Sequence, residues 1–168
     1  MLHGWRLGTI VTVKSGPYFS PMLSGNRSRS KVGGSRADHP DLLPGRKPSD
    51  IILGDVNRYF DPTAFAIQPV GFLGTAGRNT LQGPRTANWD FSVSKDTAWA
   101  MLGESGRLEF RAEIFNLLNR ANFRIPSGLT VYTADAGRAV TTPLPTAGQI
   151  QRTITASRQV QFGLKLIF

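Results

Sequence analysis

The sequence has no cysteine and only two histidines, His3 and His39, among its 168 residues. The lack of cysteine excludes a disulfide framework and a thiolate metal site, and two histidines so far apart do not predict a metal site either. No stretch approaches the roughly 18 consecutive apolar residues of a membrane-spanning helix, so a helical span is excluded. The first residues also lack a charged segment followed by an apolar one, so the sequence predicts no signal peptide.

The residues that are present favour strands joined by long loops. Hydrophobic residues make up 40% and charged residues 18% of the chain, which is compatible with ordered structure. Aromatic residues make up 10%, and 18 glycines and 11 prolines interrupt the apolar segments, as they do between strands. The mean hydropathy of -0.18 does not argue against a membrane β-barrel, because barrel strands alternate apolar and polar residues.

The chain is basic, with a formal charge of +9, which permits nucleic acid, acidic lipid or another polyanion as a partner. The only dense basic cluster consists of Arg27, Arg29, Lys31 and Arg36. These residues lie among serines and glycines, without the interleaved aromatic residues of a base-stacking surface. The cluster is either a solvated basic loop or a loop that binds phosphate.

Apolar and polar residues alternate from Arg158 to the last residue of the sequence. The apolar set is Val160, Phe162, Leu164, Leu166 and Phe168. The other set is Gln159, Gln161, Gly163 and Lys165. A period of two residues predicts a β-strand with one apolar face. Such a strand fits a soluble sheet, where that face covers a core, or a membrane barrel, where it meets lipid.

The segment 107–116 alternates in the same way and carries four charges. As a helix it would place Arg107 over Arg111 and Glu109 over Glu113, and like charges at this spacing repel each other. As a strand it places all four on one face, where opposite charges can pair. We therefore predict a strand whose charged face contacts water.

The predicted elements form an ordered pattern of connections. The strands are 4–14, 87–99, 107–117 and 157–168, the long loops are 15–86 and 118–156, and a short turn lies at 103–106. Both long loops leave one end of the sheet and the short turn leaves the other, as the extracellular loops and periplasmic turns of outer-membrane barrels do. The predicted fold class is all-β, with about four antiparallel transmembrane strands of a larger outer-membrane β-barrel.

Two single residues add detail to this prediction. Lys95 falls on the apolar side of its strand, which indicates a position near the membrane interface, where its amine can reach the polar zone, or a β-bulge. Asp61, followed by Pro62, predicts the start of a short helix within the first loop.

Several pieces of the sequence resemble the C-terminal end of TonB-dependent outer-membrane receptors, in the Oar-like group that carries a carboxypeptidase-regulatory-like domain. The matching pieces are GWR at 4–6, SGP at 15–17, YFDPTAF at 59–65, GRNTLQGP at 77–84, NWDFSVSK at 88–95, FRAEIFNLLN at 110–119 and RQVQFGLKLIF at 158–168. The resemblance implies a piece of a barrel of about 22 strands, with the signal peptide, the plug domain and most of the barrel absent. It also implies localisation in the bacterial outer membrane.

The resemblance further implies roles for named residues. Phe162, Leu164, Leu166 and Phe168 resemble the signal that the barrel-assembly machinery recognises. The residues expected to face the lumen are Arg107, Glu109, Arg111, Glu113, Gln159, Gln161 and Lys165. Independently of the resemblance, the charge of the basic cluster predicts that Arg27, Arg29, Lys31 and Arg36 contact lipopolysaccharide phosphates or an anionic ligand.

The implied function is binding of a ligand on the outer face and its import with energy from TonB. The expected partners are the rest of the barrel and the plug, the assembly machinery, TonB through the missing N-terminal part, and outer-membrane lipid with lipopolysaccharide, but no nucleic acid. No catalytic, cofactor or metal residues are predicted. Two alternatives stay open: an outer-membrane anchor whose barrel is built from several chains, and a soluble basic β-domain that binds nucleic acid.

Overall fold

The computed structural model describes residues 3–30 and 38–168. These residues form two compact units. The sheet unit comprises 3–14, 85–122 and 153–168, and the loop unit comprises 15–30, 38–84 and 123–152. Within these described ranges, no helix is long and apolar enough to cross a membrane.

Strands account for most of the regular structure in the described ranges. They are β1 (Trp5–Lys14), β2 (Tyr18–Phe19), β3 (Met22–Leu23), β4 (Asp41–Leu42), β5 (Phe65–Ala66), β6 (Leu81–Gln82), β7 (Thr86–Ala98), β8 (Arg107–Phe115), β9 (Thr130–Tyr132) and β10 (Gln159–Ile167). The helices are the α-helix α1 (Pro48–Ile51) and two 3-10 helices, Pro62–Ala64 and Ala100–Leu102. The four long strands β1, β7, β8 and β10 belong to the sheet unit.

The sheet unit is one antiparallel sheet with the strand order β1-β7-β8-β10. β1 pairs along its whole length with residues 86–95 of β7, and β10 pairs with β8 along the whole length of both strands; neither pairing has a register shift. Alternating apolar residues, many of them β-branched or aromatic, favour the extended backbone in these strands. The predicted fold class is confirmed, and each strand end lies within two residues of its predicted position.

The connections leave the sheet as the sequence predicts. β1 ends opposite the start of β7, with Lys14 paired to Thr86, and β8 ends opposite the start of β10, with Phe115 paired to Gln159. Both long connections therefore leave the same end of the sheet. β7 and β8 are joined at the other end by a short connection that includes Ala100–Leu102.

The two long connections pack together, although the sequence predicted only loops there. Their buried apolar side chains form one core, which includes Leu23, Ile51 and Leu81 from the first connection and Val131 from the second. At its centre, the fully buried ring of Phe60 lies among other aromatic rings. Burial of this apolar surface is what keeps a chain so rich in glycine and proline ordered.

Three short sheets organise the loop unit. β2 pairs with β6 and β4 with β5, both antiparallel. β3 pairs with β9 in parallel, and this pairing joins the first long connection to the second.

The predicted helix start at Asp61 is confirmed as the start of a 3-10 helix. The Asp61 carboxylate accepts a hydrogen bond from the Thr63 amide at 3.0 Å, and Pro62 takes the first position, where its missing amide costs no hydrogen bond. Arg46 and Arg58 form salt bridges with the same carboxylate. One partly buried carboxylate therefore holds the start of this helix in place.

Candidate functional site

One face of the four-stranded sheet carries most of the charges of its strands, in neighbouring rows. The guanidinium nitrogens of Arg111 lie 3.5 Å from a carboxylate oxygen of Glu109 and 3.7 Å from a carboxylate oxygen of Glu113. At the β1 edge, Arg6 forms a salt bridge with Asp96 of β7. Ion pairs this exposed each contribute little to stability. Their significance is that they make the face compatible with water.

The structure brings the predicted lumen-facing residues together on this charged face. The cross-strand pairs are Glu113 with Gln161, Glu109 with Lys165, Arg111 with Gly163, Arg107 with Ile167 and Gln159 with Phe115. Paired residues of an antiparallel sheet point to the same side. Sequence reasoning missed the contribution of β1 and β7, namely Arg6 and Asp96, because the register between distant strands is not encoded in either strand alone.

A shallow groove of about 270 Å³ crosses the charged face. Its lining includes the small residues Gly8, Ser92 and Ser94 and the charged residues Arg111 and Glu113. A Cβ atom at Gly8 would lie 2.7 Å from the Ser92 hydroxyl oxygen. Any larger residue at position 8 would therefore displace Ser92 and fill part of the groove.

The opposite face of the sheet is apolar and exposed. Leu7 on β1 is 73% exposed, and Phe162 on β10 is 70% exposed. Phe162 stacks on Phe110 of the neighbouring strand, with ring centroids 6.2 Å apart. A continuous apolar surface across four strands is unfavourable in water and marks contact with a membrane or another apolar partner.

The residues of the predicted assembly signal lie on or beside this apolar face. Leu164 pairs with Phe110, and Leu166 pairs with Leu108. Phe168 follows directly after the end of β10 and is 78% exposed. The side chains of the predicted signal are thus accessible along one edge strand.

Lys95 is the one charged residue on the apolar face of β7, and its position is resolved by the structure. The pairing of β7 with β1 and with β8 shows no bulge there. Its ammonium group lies 5.3 Å from the centroid of the Trp5 ring and donates a hydrogen bond to the His3 carbonyl. The lysine therefore extends towards the end of the sheet, where tryptophan and lysine both suit a membrane interface.

The structure describes two members of the basic cluster, Arg27 and Arg29. The guanidinium group of Arg27 donates to the carbonyl oxygens of Gln68 at 2.6 Å and Asp135 at 2.9 Å, so this side chain holds segments of the loop unit together. Arg29 is exposed. Lys31 and Arg36 lie outside the described residues.

These two faces agree with the comparison against known families. A family model described as an outer membrane beta barrel domain matches residues 1–161. The chain belongs to this family. The barrel domain is accordingly located in the outer membrane. No curated protein and no solved structure matches it.

Membership of this family bears on the alternatives that the sequence left open. The barrel domain lies in the outer membrane, so the alternative of a soluble domain is wrong. Among the residues that the structure describes, no group of three or more histidine, cysteine, aspartate or glutamate side chains is placed to hold a metal ion. The feature that remains as the functional site is the sheet itself, with one face for lipid and one for water.

Proposed function

We propose that the barrel domain is part of the wall of a TonB-dependent outer-membrane receptor, which binds a ligand on its outer face and imports it with energy delivered through TonB. The observation that carries the proposal is the combination, on one sheet, of an exposed apolar face and a face of paired charges. Barrel strands need this division between lipid and a polar lumen. The resemblance in motifs such as FRAEIFNLLN supports the assignment to this class of receptor.

The proposed orientation follows from the connections. The short connection between β7 and β8 lies on the periplasmic side, and the two long connections lie outside the cell. Trp5 and Lys95 then mark the periplasmic interface. The charged face, with the groove beside Gly8, forms part of the lumen wall and faces the plug.

Two sets of residues have further proposed roles. Phe162, Leu164, Leu166 and Phe168 are the contact for the barrel-assembly machinery. The exposed Arg29, together with Lys31 and Arg36, contacts phosphates of lipopolysaccharide or of an anionic ligand, while Arg27 mainly supports the loop. We assign no enzymatic reaction to this chain.

The role in transport is testable without knowing the ligand. Cells with the gene, cells without it and cells without TonB are grown in one complex medium, and untargeted mass spectrometry records which compounds each strain removes. The proposal predicts a compound that is removed only when both the gene and TonB are present. Removal of the same compounds in all three strains would reject TonB-dependent import.

The basic residues are tested separately by binding. Replacing Arg29, Lys31 and Arg36 by glutamine should weaken binding of the purified protein to lipopolysaccharide micelles, since each lost cation removes a charge-assisted contact. Lys14 lies in β1 of the sheet unit, away from the basic cluster in sequence, and the Lys14→Gln variant is the control. Equal binding by the triple variant and the control would reject the contact with lipopolysaccharide.

A further inference from the structure

Three asparagines follow β8, and the first of them ties the end of this strand to the segment that leads into β10. Asn116 is 4% exposed. Its side-chain amide donates to the carbonyl oxygens of Arg120 and Ala156, both at 3.0 Å, and its side-chain oxygen accepts from the Arg120 amide at 2.9 Å. Both ends of this side chain are therefore satisfied.

The other two asparagines hold the same incoming segment. The side-chain oxygen of Asn119 accepts a hydrogen bond from the Arg158 amide at 2.9 Å. The side-chain amide of Asn122 donates to the Thr155 hydroxyl at 3.2 Å, and the backbone of Asn122 accepts from the Ile154 amide at 2.7 Å. The residues just before β10 are thus bound at several successive points.

The asparagine segment is also bonded to β7. The Ala87 amide donates to the side-chain oxygen of the fully buried Asn122 at 2.9 Å. The Asn116 amide donates to the Asp90 carboxylate at 2.8 Å. Because the same residues bond to β7 and to the chain entering β10, the position of β10 is fixed relative to two strands.

The backbone conformation explains why asparagine occupies two of these positions. Asn116 has a φ of 53° and Asn119 a φ of 50°. Few residues other than glycine adopt this left-handed region, since Cβ crowds the backbone there, and asparagine is among those that adopt it most readily. Asparagine is thus the residue that satisfies both the backbone and the hydrogen bonds.

We propose that residues 116–122, here called the asparagine clasp, set the register of β10 against β8. The alternation of β10 excludes a slip by one residue, because such a slip would turn its polar side chains to the lipid side. A slip by two residues keeps every side chain on its proper face, so alternation does not exclude it. The clasp can distinguish the native register from a slip by two residues, because Asn119 binds the backbone of Arg158, the residue directly before β10.

The register is measured by disulfide trapping in the outer membrane, since this sequence has no cysteine that would compete. Cysteines at Glu113 and Gln161 report the native register. Cysteines at Glu113 with Gln159, and at Glu113 with Gly163, report slips by two residues in either direction. Only residues brought opposite each other come close enough for a disulfide.

Each cysteine pair is combined with Asn119→Gly, which retains the left-handed backbone and removes the bond to Arg158, or with Asn122→Ala. The proposal predicts that the ratio of native to slipped disulfide falls in both variants, by roughly two- to tenfold for each hydrogen bond removed. Asn122→Ala removes two part-buried bonds and should have the larger effect, since Asn119 is exposed and Asn119→Gly removes one bond. Asn79→Gly is the matched control, because Asn79 has a φ of 52° but lies in the loop unit. This control should leave the ratio unchanged.

The proposal would be overturned if both clasp variants formed only the native disulfide. It would also be overturned if the ratio of native to slipped disulfide fell as much in the Asn79→Gly control as in the clasp variants. If a clasp variant does not reach the outer membrane, the ratio is measured on protein refolded into detergent micelles. Slipped disulfides in those micelles support the register role, and native disulfides alone contradict it. The outcome is independent of TonB, so it stands or falls separately from the transport proposal.

Discussion

Replacing Leu7 by arginine should destabilise the protein in a membrane, whereas the same replacement at Ile10 should not. The two residues lie on one strand, are both aliphatic and have similar exposures of 73% and 65%. They differ in the face they occupy: Leu7 pairs with Val93 on the apolar face, and Ile10 pairs with Asp90 on the charged face. The pair of variants therefore compares the two faces with little other change.

The expected magnitude follows from the depth of Leu7. It lies two residues beyond Trp5, towards the middle of β1, so an arginine there faces the apolar zone and not the interface. Arginine on the lipid face of a barrel costs about 2 to 4 kcal/mol at the midplane and about 0 to 1 kcal/mol near the interfaces. We expect about 2 kcal/mol for Leu7→Arg, which is a factor of roughly 30 in the folding equilibrium. At position 10 the Asp90 carboxylate is opposite, so we expect a change within about 0.5 kcal/mol.

The assay is urea unfolding of the full-length protein in phospholipid vesicles, followed by tryptophan fluorescence. The midpoint should fall for Leu7→Arg and stay in place for Ile10→Arg. If the sheet were in water, both variants would replace an exposed aliphatic residue by a charge and would behave alike. Equal midpoints, or a larger loss for Ile10→Arg, would refute the assignment of the two faces.

Three further predictions concern the loop unit and the last residue. Tyr132→Phe removes the hydrogen bond to the Phe65 carbonyl at 2.7 Å and should lower the free energy of unfolding by about 1 kcal/mol in urea titrations; an unchanged value would show that this bond is not needed. Burial raises the pKa of Asp61, but hydrogen bonds from Thr63 and Arg58 and the charge of Arg58 outweigh burial and hold its pKa below the usual value. The stabilisation by the ionised Asp61 is therefore fully present above the unfolded pKa of about 3.9 and is lost as the pH falls through the lower folded pKa. Asp61→Asn should reduce this pH dependence of the free energy of unfolding, measured in unfolding curves recorded across the acid range. Deleting Phe168 should lower the amount of heat-modifiable protein in outer-membrane fractions, and unchanged assembly would reject its role in the signal.

The sheet unit could be predicted from the sequence because its physical signal is local. The alternation in 107–116 and in 158–168 determines both the strand and its two faces. The sequence of one strand does not show its partners, so it does not distinguish a Lys95 near the membrane interface from a Lys95 at a β-bulge. In the structure β7 pairs with β1 and with β8 without a bulge at this residue, which favours the position near the interface.

The loop unit could not be predicted because its order arises from contacts distant in sequence. Pieces as short as β3 and β9, with two and three residues, have no periodicity of their own. Their pairing depends on burying Leu23 and Val131 in a common core. The local cap at Asp61, in contrast, was evident from the residues Asp61 and Pro62 alone.

The asparagine clasp could not be predicted from the sequence for the same reason, because its contacts are distant in sequence. The sequence identified FRAEIFNLLN as a family-like piece but gave no role to its asparagines. Their partners, such as Ala87 and Arg158, lie far away along the chain. The positive φ angles of Asn116 and Asn119 are also not readable from a strand pattern.

The most direct test of the central assignment is a scan of single cysteines along β10 in outer-membrane vesicles, using a water-soluble maleimide that does not enter lipid. This sequence has no cysteine, so a label on any of its residues reports the introduced site. We predict labelling with a period of two: Gln161, Gly163 and Lys165 react, whereas Phe162, Leu164 and Leu166 do not. Uniform labelling along the strand, or labelling of the apolar set, would contradict a sheet with one face in lipid and one in water.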